Sequence, residues 1–204
     1  MVCNQYPLPS ETFVSGHVDL LMRDDWRVAV HATEILSSDV SGIMQSELYG
    51  EGSSILERIR FLAAHLMRAS VFMPKALKHA LHHKLYRQLL SGRILHRALS
   101  TRNLNEDTLV HVHFLNQAEA IAEMKSAGFL TTPIIATAHG FDVNVWPKQY
   151  EKEDAFKFLK ITRVPITCGS EFIKKKLVGF GIPEHHLFII PLGVNQQFLD
   201  TPKN

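Results

Sequence analysis

Apolar and polar positions change their spacing repeatedly along the second half of the chain, which begins near Asp107. Four short apolar runs are typical of buried strands, and in three segments between them the apolar residues recur at helical spacing. The predicted strands are 107–114, 133–138, 164–170 and 187–193, and the predicted helices are 118–127, 151–159 and 171–178. This alternation predicts βαβ units with right-handed crossovers, and therefore an α/β fold whose Rossmann-like parallel sheet has helices on both faces.

The first half of the chain has a looser pattern. The predicted elements are a strand at 2–5, a helix from Glu11 or Thr12 to Met22 that is capped by Ser10, and a strand at 27–33. The Ser- and Gly-rich segment 37–54 predicts a loop. An extra helical pair is predicted at about 55–99, with its second helix beginning after Pro74 and ending near Leu99.

Composition narrows the class of protein. A chain of 204 residues with 46% hydrophobic and 21% charged residues can bury a substantial core, so a globular domain is expected. No apolar run reaches the roughly 18 residues of a membrane span, and the first residues lack the layout of a signal peptide. We therefore expect a cytoplasmic protein. Cys3 and Cys168 lie far apart in the sequence, which predicts small buried residues and neither a disulfide nor a zinc site.

Positive charge is concentrated in one segment. Residues 55–103 contain ten Lys and Arg against Glu57 alone, so this segment carries +9 and the rest of the chain −7. On the second predicted helix, one face collects the basic side chains of Lys75, Lys78, His79, His82, Arg93, His96 and Arg97, while Leu77, Leu81, Leu95 and Leu99 lie broadly opposite. The pattern fits a helix that faces an anionic partner, such as phospholipid headgroups or a lipid diphosphate, or a solvated face without a partner.

Candidate ligand-binding residues follow the predicted strands. Ligands of parallel α/β sheets bind beyond the carboxyl ends of the strands, where "YPLPSETF", "HVHFLN", "TAHGFD", "TCGSEF" and "PLGVN" are expected to meet. In "TAHGFD", His139 can exchange hydrogen bonds with a sugar hydroxyl, and Gly140 lets the backbone approach a ligand. The alternative is a turn in which Asp142 makes a local hydrogen bond.

Other polar motifs are ambiguous in the same way. Ser10, Glu11 and Thr12 either cap a helix or bind a polyhydroxylated ligand. Ser170 and Glu171 begin a helix, where an N-cap is expected more strongly than a bound anion. His111 and His113 point to one face of a strand, but no HxHxDH element accompanies them. We expect no metal there, with one histidine bonded within the sheet and His113 near the ligand.

Several nucleotide-binding motifs are absent from the sequence. There is no GxGxxG after the first strand and no GxxxxGK[ST], which argues against dinucleotide and P-loop sites. No Asp-x-Asp element occurs either, so a metal-held nucleotide diphosphate is not expected.

The fragments "YPLPSETFV", "VHVHF", "PIIATAHGFDV" and "TCGSEFIKKKLVGFGIPEHHLFIIPLGVNQQF", in this order, resemble the amino-terminal half of family-four glycosyltransferases. These enzymes have two Rossmann-like domains that face each other across a cleft, the GT-B architecture. The "P-x-x-S-E-T-F" start is most similar to transferases of colanic acid and other exopolysaccharide pathways. The resemblance covers nearly the whole chain except about 37–102.

The resemblance implies a retaining transfer from a nucleotide-activated sugar to a glycan or lipid-linked hydroxyl acceptor, with no required metal or other cofactor. On that pattern His139 is the catalytic residue that contacts the donor sugar, while Gly140 allows close approach and Asp142 shapes the loop. The remaining residues implied in substrate binding are Ser10, Glu11, Thr12, His113, Ser170 and Glu171.

The resemblance also implies a domain division. Residues 1–194 would form the acceptor-side domain with a helical insertion at about 37–103, and 195–204 would begin the hinge to a donor-binding domain. Asn195 replaces the usual hinge aspartate, and the basic pair and Glu-x₇-Glu element of the donor domain do not follow. We therefore expect the chain alone to be inactive, as a truncated product or one half of a split enzyme.

Two alternatives from other classes remain open. The first is a non-catalytic module that docks to a separate donor-domain protein or to an anionic membrane surface at the inner face of the cytoplasmic membrane. The second is a metal hydrolase that uses His111 and His113.

Overall fold

A seven-stranded parallel sheet forms the centre of the protein. The computed structural model describes residues 1–36, 43–45, 54–82, 98–99, 101, 104, 107–149, 155–191 and 193. The strands are β1 (Val2–Tyr6), β2 (Val30–Ile35), β3 (Ile43–Gln45), β4 (Val110–His113), β5 (Ile134–Ala138), β6 (Ile166–Cys168) and β7 (Leu187–Ile189). Their order in the sheet is β3-β2-β1-β4-β5-β6-β7. The predicted α/β fold is confirmed, and β1 and β4 are the central neighbours at which the strand order reverses.

The helices described are α1 (Thr12–Arg23), α2 (Ile55–Phe72), α3 (Pro74–His82), α4 (Leu115–Ser126), α5 (Gly140–Asn144), α6 (Trp146–Gln149), α7 (Lys157–Thr162) and α8 (Glu171–Gly179). Short 3-10 helices lie at Pro9–Glu11 and Glu184–His186. Helix α2 begins with a capping box in which Ser54 and Glu57 bond each other's backbone N–H. Pro74 starts α3 because a proline at the first helical position loses no intrahelical hydrogen bond.

The two faces of the central strands differ in chemistry. On β4 and β5, Val110, Val112, Ile134 and Ala136 are buried in the larger apolar core, which includes α4. A smaller core between α1 and strands β1 and β2 contains Cys3, Tyr6, Val14, Val18, Val30 and Ala32. Because side chains alternate along a strand, His111 and His113 point away from the larger core. The face toward α1 is therefore polar at the centre of the sheet.

Three sequence-based expectations about the first half need correction. Ser10 does not cap α1, because a 3-10 turn at Pro9–Glu11 comes first and Glu11 holds the N-cap position without a side-chain bond. The second strand is Val30–Ile35, later than the predicted 27–33. The predicted loop at 37–54 contains the edge strand β3, which is only three residues long and pairs with β2 through its backbone.

In the second half, the "TAHGFD" segment does not form a simple turn, because α5 begins directly after His139. Helix α7 runs over Lys157–Thr162, which overlaps only the end of the predicted helix 151–159, and residues 151–154 lie outside the described part of the chain. Helix α4 begins at Leu115, three residues earlier than predicted. Both cysteines are buried, as predicted.

The second helix predicted for the extra pair falls only partly on described residues. Pro74–His82 is helical, and Ala98 and Leu99 are helical and buried, while Arg93, His96 and Arg97 lie outside the described residues. The proposed basic face is also not uniform, because the His79 Nε2 lies 2.8 Å from the Ser126 carbonyl oxygen at the end of α4. His79 therefore anchors α3 to the body of the fold, and Leu81, expected on the apolar face, is 55% exposed.

Candidate functional site

The carboxyl edge of the sheet gathers the loops that follow β1, β4, β5 and β6. All registered strand pairs are parallel, so these loops leave the sheet at one edge, as predicted. The loop after β1 runs into α1, and the loops after β4 and β5 run into α4 and α5 within one residue. These short connections fix the first side chain beyond each strand, so the edge is a preformed site.

His139 lies at the centre of this edge, between the end of β5 and the start of α5. Its ring is half-buried and packs against Phe13 at 4.5 Å and Phe114 at 4.6 Å between ring centroids. Its Nε2 lies 3.4 Å from the Nδ1 of His113. Burial lowers the pKa of His139 to about 4, so the ring is neutral near pH 7, with one nitrogen as a donor and the other as an acceptor.

Asp142 fixes the backbone on both sides of the site. It is completely buried, and its carboxylate accepts a bond from the His139 N–H at 2.8 Å and another from the Leu115 N–H at 2.9 Å. Burial raises the pKa of Asp142 to about 6, while backbone donors at His139, Leu115 and Asn116 oppose that rise. One carboxylate therefore joins the starts of α4 and α5, which is more than the local bond expected from the sequence.

Gly140 is exposed beside His139. A Cβ at this position would meet only the Asn144 Nδ2, at the ordinary contact distance of 3.9 Å, so neither the neighbouring side chains nor the backbone requires glycine. The Gly140 carbonyl accepts a bond from Asn144. A glycine that the fold does not need, next to a partly exposed histidine, suits the close approach of a ligand.

Phe114 has an unusual backbone conformation for an aromatic residue. Its φ is 71°, a region that residues with a Cβ rarely adopt. Phe114 is held there because its N–H donates to the Thr137 carbonyl and its own carbonyl accepts from Ala118 at the start of α4. The conformation turns its ring toward His139, and strain of this kind often occurs at functional sites.

A row of histidines continues from His139 across the polar face of the sheet. His113 is 5.6 Å from His139 and His111 is 4.7 Å from His113, measured between ring centroids, and both pairs are stacked. His17 of α1 contacts both strand histidines edge-on, at 5.0 and 5.7 Å. The His111 Nε2 lies 2.7 Å from the Thr137 hydroxyl, which matches the expectation that one histidine bonds within the sheet.

The histidines of this row are neutral at physiological pH. Burial, followed by the neighbouring histidines, lowers the pKa of His111 to about 4 and that of His113 to about 2. Burial also lowers the pKa of His17. Neutral imidazoles act as hydrogen-bonding groups or as metal ligands, because each keeps a lone pair on one nitrogen.

The residues that follow β1 form one wall of the edge. Ser10 and Thr12 are exposed, and Glu11 between them is partly buried. Burial raises the pKa of Glu11, and among the described residues its Oε2 is buried without a hydrogen-bond partner. Phe13, which follows Thr12, contacts the rings of His113, Phe114 and His139. These contacts place the wall beside the centre of the site.

Ser170 and Glu171 lie one strand further along the edge. The Ser170 hydroxyl accepts a bond from the Ile173 N–H, so Ser170 is the N-cap of α8, as the sequence favoured. Glu171 is the first residue of α8, and its side chain is exposed. Helix α8 packs against α5, so both residues lie near the His139 loop.

The basic residues of α3 lie apart from this edge. Lys75 and Lys78 are exposed, and Lys78 lines a groove of about 420 Å³ together with Ser70, Pro74, Leu77 and Leu81. His82 ends α3, but its side chain is outside the described part of the molecule, as are Arg93 and Arg97. None of the described helices combines the length and apolar character needed to cross a membrane.

Sequence reasoning missed three residues of the site: Phe13, His17 and Phe114. Phe13 and His17 both lie on α1, and their i, i+4 spacing was the available signal that they share a face. Nothing in the sequence indicates the positive φ of Phe114, because one of the two bonds that hold it comes from Thr137, 23 positions away in the chain.

Residues 54–198 match a protein-family model described as Glycosyltransferase Family 4. The match covers more than half of the chain and includes β4 to β7 and the His139 loop. No curated protein and no solved structure gave a match.

Proposed function

Because the chain belongs to glycosyltransferase family 4, we propose that it forms the acceptor-side half of a retaining enzyme of GT-B architecture. This enzyme transfers a sugar from a nucleotide-sugar donor to a glycan or lipid-linked acceptor in exopolysaccharide biosynthesis. The observation that carries the proposal is the placement of His139, a neutral and partly exposed imidazole held by Phe13 and Phe114 beside the exposed Gly140.

The charge of His139 suits this chemistry. Glycosyl transfer builds positive charge on the anomeric carbon and negative charge on the leaving diphosphate. Burial lowers the pKa of His139 to about 4, so its ring adds no positive charge next to the developing oxocarbenium ion. A neutral ring can still donate or accept one hydrogen bond to a sugar hydroxyl, which orients the donor sugar.

The other polar residues of the edge have complementary roles in this proposal. Ser10, Glu11 and Thr12 bind hydroxyl groups of the acceptor near the diphosphate, and Ser170 and Glu171 lie at the rim of the cleft. His113 supports His139 from below through the contact between their ring nitrogens. The transfer uses no metal ion that bridges the diphosphate, since the sequence has no Asp-x-Asp element to hold one.

Sugar binding to the purified chain tests the proposal directly. Saturation-transfer NMR with a panel of nucleotide sugars should show contact with the sugar ring, and His139→Ala should abolish that contact. His186→Ala is the matched control, because His186 lies in a 3-10 helix before β7. A His139→Ala protein that is folded and retains the full saturation-transfer signal would contradict the assignment.

We propose that the 204 residues alone bind the sugar but do not catalyse its transfer. The diphosphate-binding elements implied by the resemblance do not occur in these residues. The hinge region 195–204, where a donor-binding domain would join, lies outside the described residues. Sugar release or transfer should therefore appear only when a donor-binding domain of the same family is added. Turnover by the purified chain alone would show this part of the proposal to be wrong.

A non-catalytic docking module is the second candidate, and the groove beside α3 favours it. Lys78 lines the groove together with Leu77 and Leu81, and Lys75 is exposed on the same helix, an arrangement that suits the headgroup and upper acyl region of an anionic membrane. In this setting the protein would bind peripherally at the inner face of the cytoplasmic membrane.

Vesicle sedimentation distinguishes membrane docking from a solvated face. Lys75→Glu with Lys78→Glu should release the chain from phosphatidylglycerol vesicles, and high salt should have the same effect. The control is Arg23→Glu with Arg27→Glu, which makes the same change of charge at two other exposed positions. Arg23 is the last residue of α1, and Arg27 lies four residues after it. Equal binding by both double variants would exclude α3 as the docking surface.

A further inference from the structure

We propose that His17, His111 and His113 form a binding site for one transition-metal ion of the Zn²⁺ class. One ring nitrogen from each of the three lies within 4.8 Å of the others. The two strand histidines share a face of β4, and α1 brings His17 against both of their rings. Three imidazole ligands with an open fourth position are a recurrent zinc-binding arrangement, and imidazole also suits Cu²⁺ and Ni²⁺.

One consistent arrangement of the hydrogen bonds on the polar face leaves the His111 Nδ1 available to a metal. The Thr167 hydroxyl can donate to the Ala136 carbonyl at 3.3 Å and accept from the Thr137 hydroxyl at 2.8 Å. The Thr137 hydroxyl then donates to Thr167 and accepts from the His111 Nε2–H at 2.7 Å. This series of hydrogen bonds leaves the lone pair of His111 on Nδ1. Metal-ligating histidines are oriented in the same way, by a hydrogen bond from the ring nitrogen that does not bind the metal.

His113 has an unused polar atom in the same cluster. The residue is 4% exposed, and its Nδ1 contacts His139 while its Nε2 is buried without a hydrogen-bond partner among the described residues. An unsatisfied buried nitrogen destabilises the folded state, and a bound cation would remove that cost. The orphaned nitrogen is therefore an observation independent of the cluster geometry, and it points to a ligand.

The cluster needs only a small adjustment to close around an ion. With Zn–N bonds of about 2.0–2.1 Å, tetrahedral ligand nitrogens lie about 3.3 Å apart, so no separation within the cluster needs to shrink by more than about 1.5 Å. Rotation of the three side chains can supply this movement, since His17 and His111 are only half-buried.

The site was not expected from the sequence, because His17 joins the His-x-His pair only through the packing of α1 on β4. The inference does not rest on the proposed sugar transfer, since the ligands and their bonds define it alone. It also differs from a diphosphate-bound metal, because its ligands lie on the sheet face beneath His139. Loss of metal binding and loss of sugar binding are therefore separable results.

Titration of the purified, chelator-treated chain with Co²⁺, followed by competition with Zn²⁺, tests the site. We expect one ion per chain and the visible absorption of four-coordinate Co²⁺, with Zn²⁺ displacing it. Because loss of an outer-shell partner alone costs about 10–100-fold in affinity, Thr137→Val should weaken binding within that range and His17→Gln or His111→Gln by about 100-fold or more. The matched control replaces the neighbouring pair His185 and His186, whose rings are 4.3 Å apart, with Gln at both positions, and should bind as the wild type does.

Ring ¹H–¹⁵N spectra of the wild-type chain provide a measurement that does not depend on how the variants fold. Zn²⁺ should shift the resonances of His17, His111 and His113 at one equivalent. Absence of stoichiometric Co²⁺ and Zn²⁺ binding would overturn the proposal. Shifts confined to His185 and His186, or unchanged affinity in a folded His17→Gln protein, would overturn it equally.

Discussion

Asp142 holds His139 in position by accepting the backbone N–H of that residue at 2.8 Å. The same carboxylate accepts the N–H of Leu115 at 2.9 Å, although Leu115 precedes Asp142 by 27 residues. Two strand ends are thus linked through one fully buried side chain. The position of the candidate catalytic ring therefore depends on a residue that need not touch the substrate.

Removing this carboxylate should be costly. Asp142→Ala leaves the N–H groups of His139 and Leu115 without this acceptor, and at about 1–3 kcal/mol each the free energy of unfolding should fall by about 2–6 kcal/mol. Asp142→Asn keeps one acceptor oxygen and should lose roughly half as much. Urea unfolding measures both. Asp24→Ala, at an exposed site, should stay within about 0.5 kcal/mol of wild type, and a similarly small change for Asp142→Ala would contradict the linking role.

Gly140→Ala separates folding from ligand binding. The new Cβ meets only the Asn144 Nδ2 at 3.9 Å, so the free energy of unfolding should be unchanged or up to about 1 kcal/mol higher. If a sugar approaches the backbone here, its affinity should fall by about tenfold or more, which corresponds to about 1.4 kcal/mol.

Gly179→Ala provides the matched control for that substitution. Gly179 ends α8, and a Cβ there would meet no atom within 4 Å. Both variants should be folded, and only Gly140→Ala should bind sugar more weakly in the NMR titration. Equal sugar affinity in the two proteins would mean that Gly140 is not needed for ligand approach.

The positive φ of Phe114 predicts an inverted order of stability for two truncations. Phe114→Ala and Phe114→Gly both lose the ring, but glycine accommodates a φ of 71° without strain. The Gly variant should therefore be more stable than the Ala variant by about 1 kcal/mol, as measured by urea unfolding. At Phe158, inside α7, the order should be the usual one, with Ala more stable than Gly.

Glu123 should make the stability of the protein depend on pH. Burial, followed by the nearby charge of Glu119, raises the pKa of Glu123 from 4.5 to about 7. The folded state thus binds this proton more tightly than the unfolded state, so stability falls as pH rises from 4.5 through about 7. Glu123→Gln should be more stable than wild type by roughly 1–3 kcal/mol at about pH 8, and nearly equal to it at about pH 4.5.

Glu119→Gln tests the cause of that shift. Removing the negative charge of Glu119 should lower the pKa of Glu123, while an amide oxygen remains to accept from Phe158 or Leu159 at the start of α7. Carboxyl ¹³C titration gives the pKa, and urea unfolding gives the stability. A difference between Glu123→Gln and wild type that does not vary with pH would argue against titration of this carboxyl.

The sequence alone determined the order of elements and the edge at which the candidate site lies. Alternating strand and helix periods require parallel strands, and parallel strands place His139, Ser170 and the "PSETF" segment at one edge. The N-cap role of Ser170 was also predictable, because it depends on residues three positions apart. These features depend on the local spacing of residues and on the order of strands and helices, and both can be predicted from a single sequence.

Only the tertiary structure decided which side chains meet. His17 reaches His111 and His113 because α1 packs on the polar face of β4, and Phe114 adopts its conformation because Thr137 and α4 hold its backbone. The Asp142 bond to Leu115 joins positions that no local pattern relates. Periodicity predicts the face on which a side chain lies, whereas its partners depend on how two packed elements are positioned relative to each other.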